Sequence, residues 1–153
     1  GMIRSQMASV SGVEAHDIQN WVKRGFLSNP VNKRYSIQQF SRIVTINMLR
    51  SAMTMDKICS LLTYVNGELD DASDDLIDDT ALYFMFLRLA ARARHIGGTE
   101  SWDTAIADIL KDYVEPVPGA KKRIDQVLRI MLTAWIGVQT IRRAEQMLSE
   151  LEA

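Results

Sequence analysis

Three prolines, at positions 30, 116 and 118, are the only ones in this chain of 153 residues, and they fall between periodic segments rather than inside them. Proline breaks a helix interior, so a chain this poor in it is free to be helical almost throughout. The apolar spacing agrees. Hydrophobic residues recurring every three and four positions predict helices over about 4–10, 14–24, from Ser36, from Thr54, and over 76–96, 101–113 and 120–151. The expected fold class is all-α.

The punctuation between these segments is specific. Ser11-Gly12-Val13 reads as a tight turn, and Gly25 ends the second segment as a glycine C-terminal to a helix does. Met7, Ala8 and Val10 are expected inward on the first helix, and Ile18, Trp21 and Val22 on the second. The stretch 28–35, Ser-Asn-Pro-Val-Asn-Lys-Arg-Tyr, predicts a polar turn or tiny hairpin. Ser36-Ile37-Gln38-Gln39 fits the S-x-x-Q capping box of a third helix burying Phe40, Ile43, Val44 and Leu49. Thr54 opens a fourth, with Asp56 where the helix dipole favours a carboxylate. It is expected to bury Ile58, Leu61, Leu62 and Val65 and to stop at Gly67.

Two later segments carry predictions about packing. Ala81-Leu82-Tyr83-Phe84-Met85-Phe86-Leu87 is apolar on every side, which predicts a helix buried all round at the centre of the body, with Gly97-Gly98 breaking it. The last segment holds Val127, Ile130, Ala134, Gly137, Ile141, Ala144, Leu148 and Leu151 at alternating spacings of three and four, a seven-residue repeat. A second stripe, Ile124, Leu128, Met131, Trp135 and Val138, flanks it. One stripe is expected on the body and the other against a second copy, a homodimer through the last helix; filling both within one chain is the alternative.

Charge divides the chain. Residues 1–66 hold eight basic and three acidic residues, a balance of +5; residues 67–115 hold four and twelve, or −8; residues 116–153 hold six and four, or +2. A basic first part beside an acidic middle is the asymmetry of a chain whose one end meets a polyanion. The organisation read from these features is a head over 3–66, an acidic linker over 67–75 and a helical body over 76–153. Gly1 ahead of Met2 reads as the remnant of a cleaved purification tag.

Several chemistries find no residues. The acidic run lacks the D-x-D-x-D-G spacing of a calcium loop. His16 and His95 lie in different parts, and Cys59 falls in a packed helix, so no zinc set assembles. No phosphate-binding glycine loop or nucleophile elbow occurs, and Ser101, Asp103 and His95 are near one another only in sequence. The expectation is no enzyme, no cofactor and no metal. The aromatic group Tyr83, Phe84, Phe86 and Trp135 reads as core, with an effector pocket as the alternative and any small-molecule effector unknown. No apolar stretch reaches the ~20 residues of a membrane span, and one cysteine makes no internal disulfide, so the expected location is the cytoplasm, with no membrane partner.

The run Ala8-Ser9-Val10-Ser11-Gly12-Val13, then Ile18 to Leu27 with Trp21 and Gly25, then Arg34-Tyr35-Ser36, resembles the winged helix-turn-helix DNA-binding head of the MerR family. Ile43, Ile46, Leu49-Arg50 and Met53 to Ile58 fit that family's next two helices. More closely, Ile18 to Met48 and Asp74-Asp75-Leu76-Ile77-Asp78-Asp79 are similar to a bacterial family called domain of unknown function eighteen-thirty-six, over roughly residues 2–96. The resemblance implies a MerR-like head followed by a C-terminal helical bundle, and a transcriptional regulator that binds double-stranded DNA.

With Ile18, Trp21 and Val22 inward, His16, Asp17, Gln19, Asn20, Lys23 and Arg24 face outward. In a head of this kind the second helix enters the major groove. Gln and Asn pair with adenine, Lys and Arg with guanine or phosphate. The expected DNA-binding residues are His16, Gln19, Asn20, Lys23, Arg24, Lys33, Arg34 and Tyr35, with Lys33 and Arg34 clamping phosphates and Tyr35 packing beneath the wing arginine that the resemblance implies. Asp17 puts a carboxylate among them. The alternative reading is a protein-interaction module that keeps the head as a scaffold.

Overall fold

The computed structural model describes residues 1–67, 69–93 and 101–153. Among these the chain forms seven α-helices: α1 (Arg4–Ser11), α2 (Ala15–Lys23), α3 (Ile37–Leu49), α4 (Met55–Asn66), α5 (Asp79–Ala93), α6 (Trp102–Ile109) and α7 (Ala120–Glu152). A short 3₁₀ turn, Ala72–Asp74, interrupts the acidic segment. Pairing between extended segments is limited to two isolated antiparallel bridges, Met2 with Tyr35 and Val31 with Arg34. The described chain is all-α, as the proline placement predicts, and none of its described helices is long and apolar enough to cross a membrane.

Local chemistry sets the boundaries. The Ser36 hydroxyl accepts from the Gln39 backbone N–H at 3.2 Å while the Ser36 N–H donates to the Gln39 side chain at 2.7 Å, so the capping box forms. Gly25 holds φ 80° directly after α2, a left-handed conformation that costs a residue with Cβ. Gly67 is constrained twice. Its φ is 63°, and a Cβ there would collide with the Asp74 carboxyl, so the acidic segment folds back onto the end of α4.

One continuous apolar core runs from head to body. Met7, Ile18, Trp21, Leu27, Ile43, Ile46 and Leu49 join Ile58, Leu62, Leu82, Phe86, Leu89, Ile106 and the α7 residues Ile124, Val127, Leu128, Met131 and Leu132. Helix α3 packs on α5, and α4 and α5 both pack on α7. The acidic segment is tied down within this arrangement. Ile77 is buried, the Leu76 N–H donates to the Val65 carbonyl at 2.8 Å, and the Tyr113 hydroxyl donates to the Leu76 carbonyl at 2.6 Å.

Several sequence expectations are corrected. Val10 is exposed, so α1 buries Met7 and only part of Ala8. Phe40, Val44, Leu61 and Val22 are half-buried at the edges of their stripes. Helix α5 starts at Asp79, three residues later than expected, because Asp78 caps it by accepting from the Ala81 N–H at 2.8 Å. It is not buried all round. Leu82 and Phe86 face the core, but Phe84 and Leu87 are exposed and Tyr83 is half-buried, because α3, α6 and α7 cover only one side. The Gly97-Gly98 break and His95 lie outside the described residues.

Candidate nucleic-acid interface

The candidate interface is the outer face of α2 together with the hairpin that follows it. Ile18 and Trp21 anchor α2 in the core, so its opposite face is presented to solvent. His16, Gln19, Asn20, Lys23 and Arg24 are all exposed there. Two of them are held. The Arg24 guanidinium lies over the Phe26 ring, 4.7 Å from its centroid, and His16 stands between Glu14 (3.1 Å) and Asp17 (3.4 Å).

The Asp17 carboxylate accepts from the Arg50 guanidinium at 3.2 Å, and the same guanidinium lies 5.4 Å from the Trp21 ring centroid. The sequence shows a bare carboxylate on the outward face, whereas the fold delivers a counter-charge to it from the end of α3. Arg50 is thus a site residue that the sequence reading missed. It lies 33 positions from Asp17, and no local pattern links them.

The hairpin is built on a two-residue turn. Val31 and Arg34 exchange backbone hydrogen bonds at 3.0 and 2.9 Å. Between them Asn32 (φ 51°) and Lys33 (φ 62°) both adopt the left-handed conformation of a type I′ turn. Asn tolerates this; Lys does so at a cost of ~1–2 kcal/mol per left-handed residue. The Lys33 and Arg34 side chains are exposed. The base of the hairpin is fixed by Gln39, whose side-chain amide donates to the carbonyls of Ser28 and Asn29, both at 3.0 Å.

Tyr35 does not reach the surface. It is 4% exposed, and its backbone exchanges hydrogen bonds with Met2 at 2.7 and 3.0 Å. Burial pushes its phenol pKa up, and nearby Arg4 pulls it back. Tyr35 therefore packs beneath the hairpin, as expected for the residue under Arg34, and its buried side chain cannot touch a duplex. Exposed Arg4 stands close by and adds a cation that sequence reasoning counted only as charge.

Arg42 also departs from its reading as head charge. It is 5% exposed, its Nε donates to the Phe26 carbonyl at 2.8 Å, and its guanidinium pairs with Asp79 at 3.4 Å. Burial pushes the Asp79 carboxyl up from the ordinary range, and Arg42 only partly offsets it. Asp75 is pushed up by burial and by neighbouring Asp74 and Asp79. An open cleft of about 740 Å³ lies here, and Arg34, Gln38, Arg42, Asp70, Asp75, Asp78 and Asp79 are among the residues that line it. Among the described residues no group of three or more His, Cys, Asp or Glu side chains is arranged to hold a metal ion.

The sequence profile of the family described as "Domain of unknown function (DUF1836)" matches residues 4–86, which takes in α1 to α4, the acidic segment and the first half of α5. The chain is 30% identical over 81 residues to "Uncharacterized protein YkrK" of Bacillus subtilis (strain 168), an alignment covering 50% of this chain and 35% of that protein. It thus spans about a third of that relative's length. No solved structure matches the chain.

Proposed function

The chain belongs to the DUF1836 family, whose name assigns no activity, and we propose from the geometry of its head that it binds double-stranded DNA as a MerR-like transcriptional regulator without catalysis. The head of this reading is a winged helix-turn-helix. Helix α2 lies in the major groove, and the hairpin tip straddles the adjacent backbone. Gln19 and Asn20 read base edges; Lys23, Arg24, Lys33 and Arg34 contact phosphates.

The observation that carries the reading is Lys33. A type I′ turn prefers glycine at its second position, yet this turn keeps a lysine there, left-handed and exposed. A strained residue at an exposed tip points to a use for its side chain, and a cation at that place suits a phosphate. The Arg50 counter-charge on Asp17 supports the same reading by removing the repulsion on the α2 face.

The test uses the full chain and a duplex titrated at several salt concentrations. Phosphate contacts release counterions, so affinity is expected to fall linearly with salt on logarithmic axes. Affinity indifferent to salt, or no binding at low salt, overturns the proposal and leaves the protein-interaction module as the reading to pursue.

A further inference from the structure

The cleft beside Arg42 joins four parts of the chain: the hairpin through Arg34, the first half of α3 through Gln38 and Arg42, the acidic segment through Asp70 and Asp75, and the start of α5 through Asp79. Its volume of about 740 Å³ falls within the range of small-molecule sites. A second cleft adjoins it, and Arg42, Leu69 and Asp70 line both.

Arg42 brings unused donors to this place. A guanidinium carries five N–H groups. Nε donates to the Phe26 carbonyl, and Nη1 makes one contact of 3.4 Å with Asp79. Among the described residues none accepts from Nη2, although the side chain is only 5% exposed. The fully buried polar atom that lacks a partner is Asn66 Oδ1, so the free side of Arg42 opens toward the clefts that it lines. Two N–H groups on one edge of a guanidinium match the two oxygens of a carboxylate.

The acidic side is unmatched in the opposite sense. Asp79 has that single long contact with Arg42, and half-buried Asp75 makes no ion pair among the described residues. Burial and, after it, neighbouring carboxylates push both pKa values up, so a cation brought beside them is favoured. A simple ion does not suit both needs. Arg34 and Arg42 against Asp70, Asp75, Asp78 and Asp79 leave a balance of −2, which repels a bare anion. A metal ion finds no set of three ligands among the described residues.

We propose that the cleft binds a free α-amino acid, its carboxylate on the open edge of Arg42 and its ammonium on Asp75 and Asp79. Spacing selects this class of ligand. Arg42 Nη1 and Asp79 Oδ1 are 3.4 Å apart, so the two charges of the ligand must also be neighbours, as they are on one α-carbon. Exposed Gln38 remains on the lining to meet the side chain of the amino acid.

The experiment measures the melting temperature of the full chain with each of the common amino acids at low millimolar concentration, then titrates by calorimetry the one that raises it most. At least one should raise it, because a ligand of the native state stabilises by mass action. The N-acetyl derivative of that amino acid lacks the ammonium, and its amide lacks the carboxylate. Each should bind at least about tenfold more weakly, the loss of one charged hydrogen bond. Asp75→Asn, at a half-buried position, should weaken binding by a similar factor and keep its helical circular dichroism. Arg42→Lys keeps the charge but loses the fork, and should weaken binding as well. No calorimetric binding by any amino acid, equal binding of the N-acetyl derivative or the amide, or full affinity in Asp75→Asn overturns the proposal. These outcomes do not depend on DNA, so they stand apart from the test of the head.

Discussion

The Nε of Arg42 donates to the backbone carbonyl of Phe26 at 2.8 Å, in a site where the arginine is 5% exposed. One buried side chain thus links the residues just after α2, the middle of α3 and, through Asp79, the start of α5. Removing one partner of a buried pair leaves the other charge desolvated and unmatched. Arg42→Met is therefore expected to destabilise the chain by about 3–5 kcal/mol, read as a lower urea midpoint by circular dichroism. Adding Asp79→Leu should recover part of that loss, because no uncompensated carboxylate then remains. A double variant weaker than Arg42→Met would show that Asp79 is not the coupled partner.

Asp75 and Asp79 give stability a defined dependence on pH. Both carboxyls have folded pKa values raised above the ordinary 3.8. A group raised on folding holds its proton more tightly in the native state, so its contribution is fully present below 3.8 and is lost as pH rises through the folded value. Asp71 and Asp108, lowered by hydrogen bonds to Ser73 and Arg92, act in the opposite sense and at lower pH. Urea midpoints should therefore rise as pH is lowered from neutral toward 3.8 and fall as it drops below that value. In the Asp75→Asn variant the rise should shrink; an unchanged profile would exclude Asp75 as its source.

Arg50 and Asp17 predict opposite effects on duplex binding. Arg50→Ala releases the Asp17 carboxylate onto the α2 face and should weaken binding several-fold at low salt. Asp17→Asn removes the same charge and should strengthen it. Both effects should shrink as salt rises, because the groups are partly exposed and screened. If Arg50→Ala matters equally in the presence of Asp17→Asn, Arg50 acts by its own contact rather than through the pair.

Lys33 separates stability from binding. Lys33→Gly relieves a left-handed φ of 62° and is expected to raise stability by up to about 1 kcal/mol. The same change removes a cation from the hairpin tip, so duplex affinity should fall uniformly across sequences and its salt slope should decrease by about 1. A variant that is more stable and binds equally well would remove the functional reason for a lysine at this turn.

Local structure was the most legible part of the sequence. Ser36 and Gln39 form their capping box, Gly25 takes its left-handed conformation, and Trp21 is buried where its spacing from Ile18 places it. These depend on residues within one or two turns of each other, so a short window contains the whole cause. Pairings across the fold were not legible. In the sequence Arg42 counts only as one of the head's basic residues, because its partners lie 16 and 37 positions away. Phe84 and Leu87 read as core because apolar residues surround them in sequence, whereas exposure depends on which neighbours arrive. For the candidate interface, the outward residues of α2 were legible from periodicity, Tyr35 was expected to contact DNA but is buried beneath the hairpin, and the Arg50 counter-charge was visible only in three dimensions.

The continuous core from Met7 to Leu132 has a thermodynamic consequence. Helices α3 and α5 each bury the other's apolar face, so neither the head nor the body presents a finished surface without the other. Heating should then give a single calorimetric transition for both. Any molecule that binds only the folded head lifts the melting temperature of the body by the same linkage, and one that grips the body reports on the head.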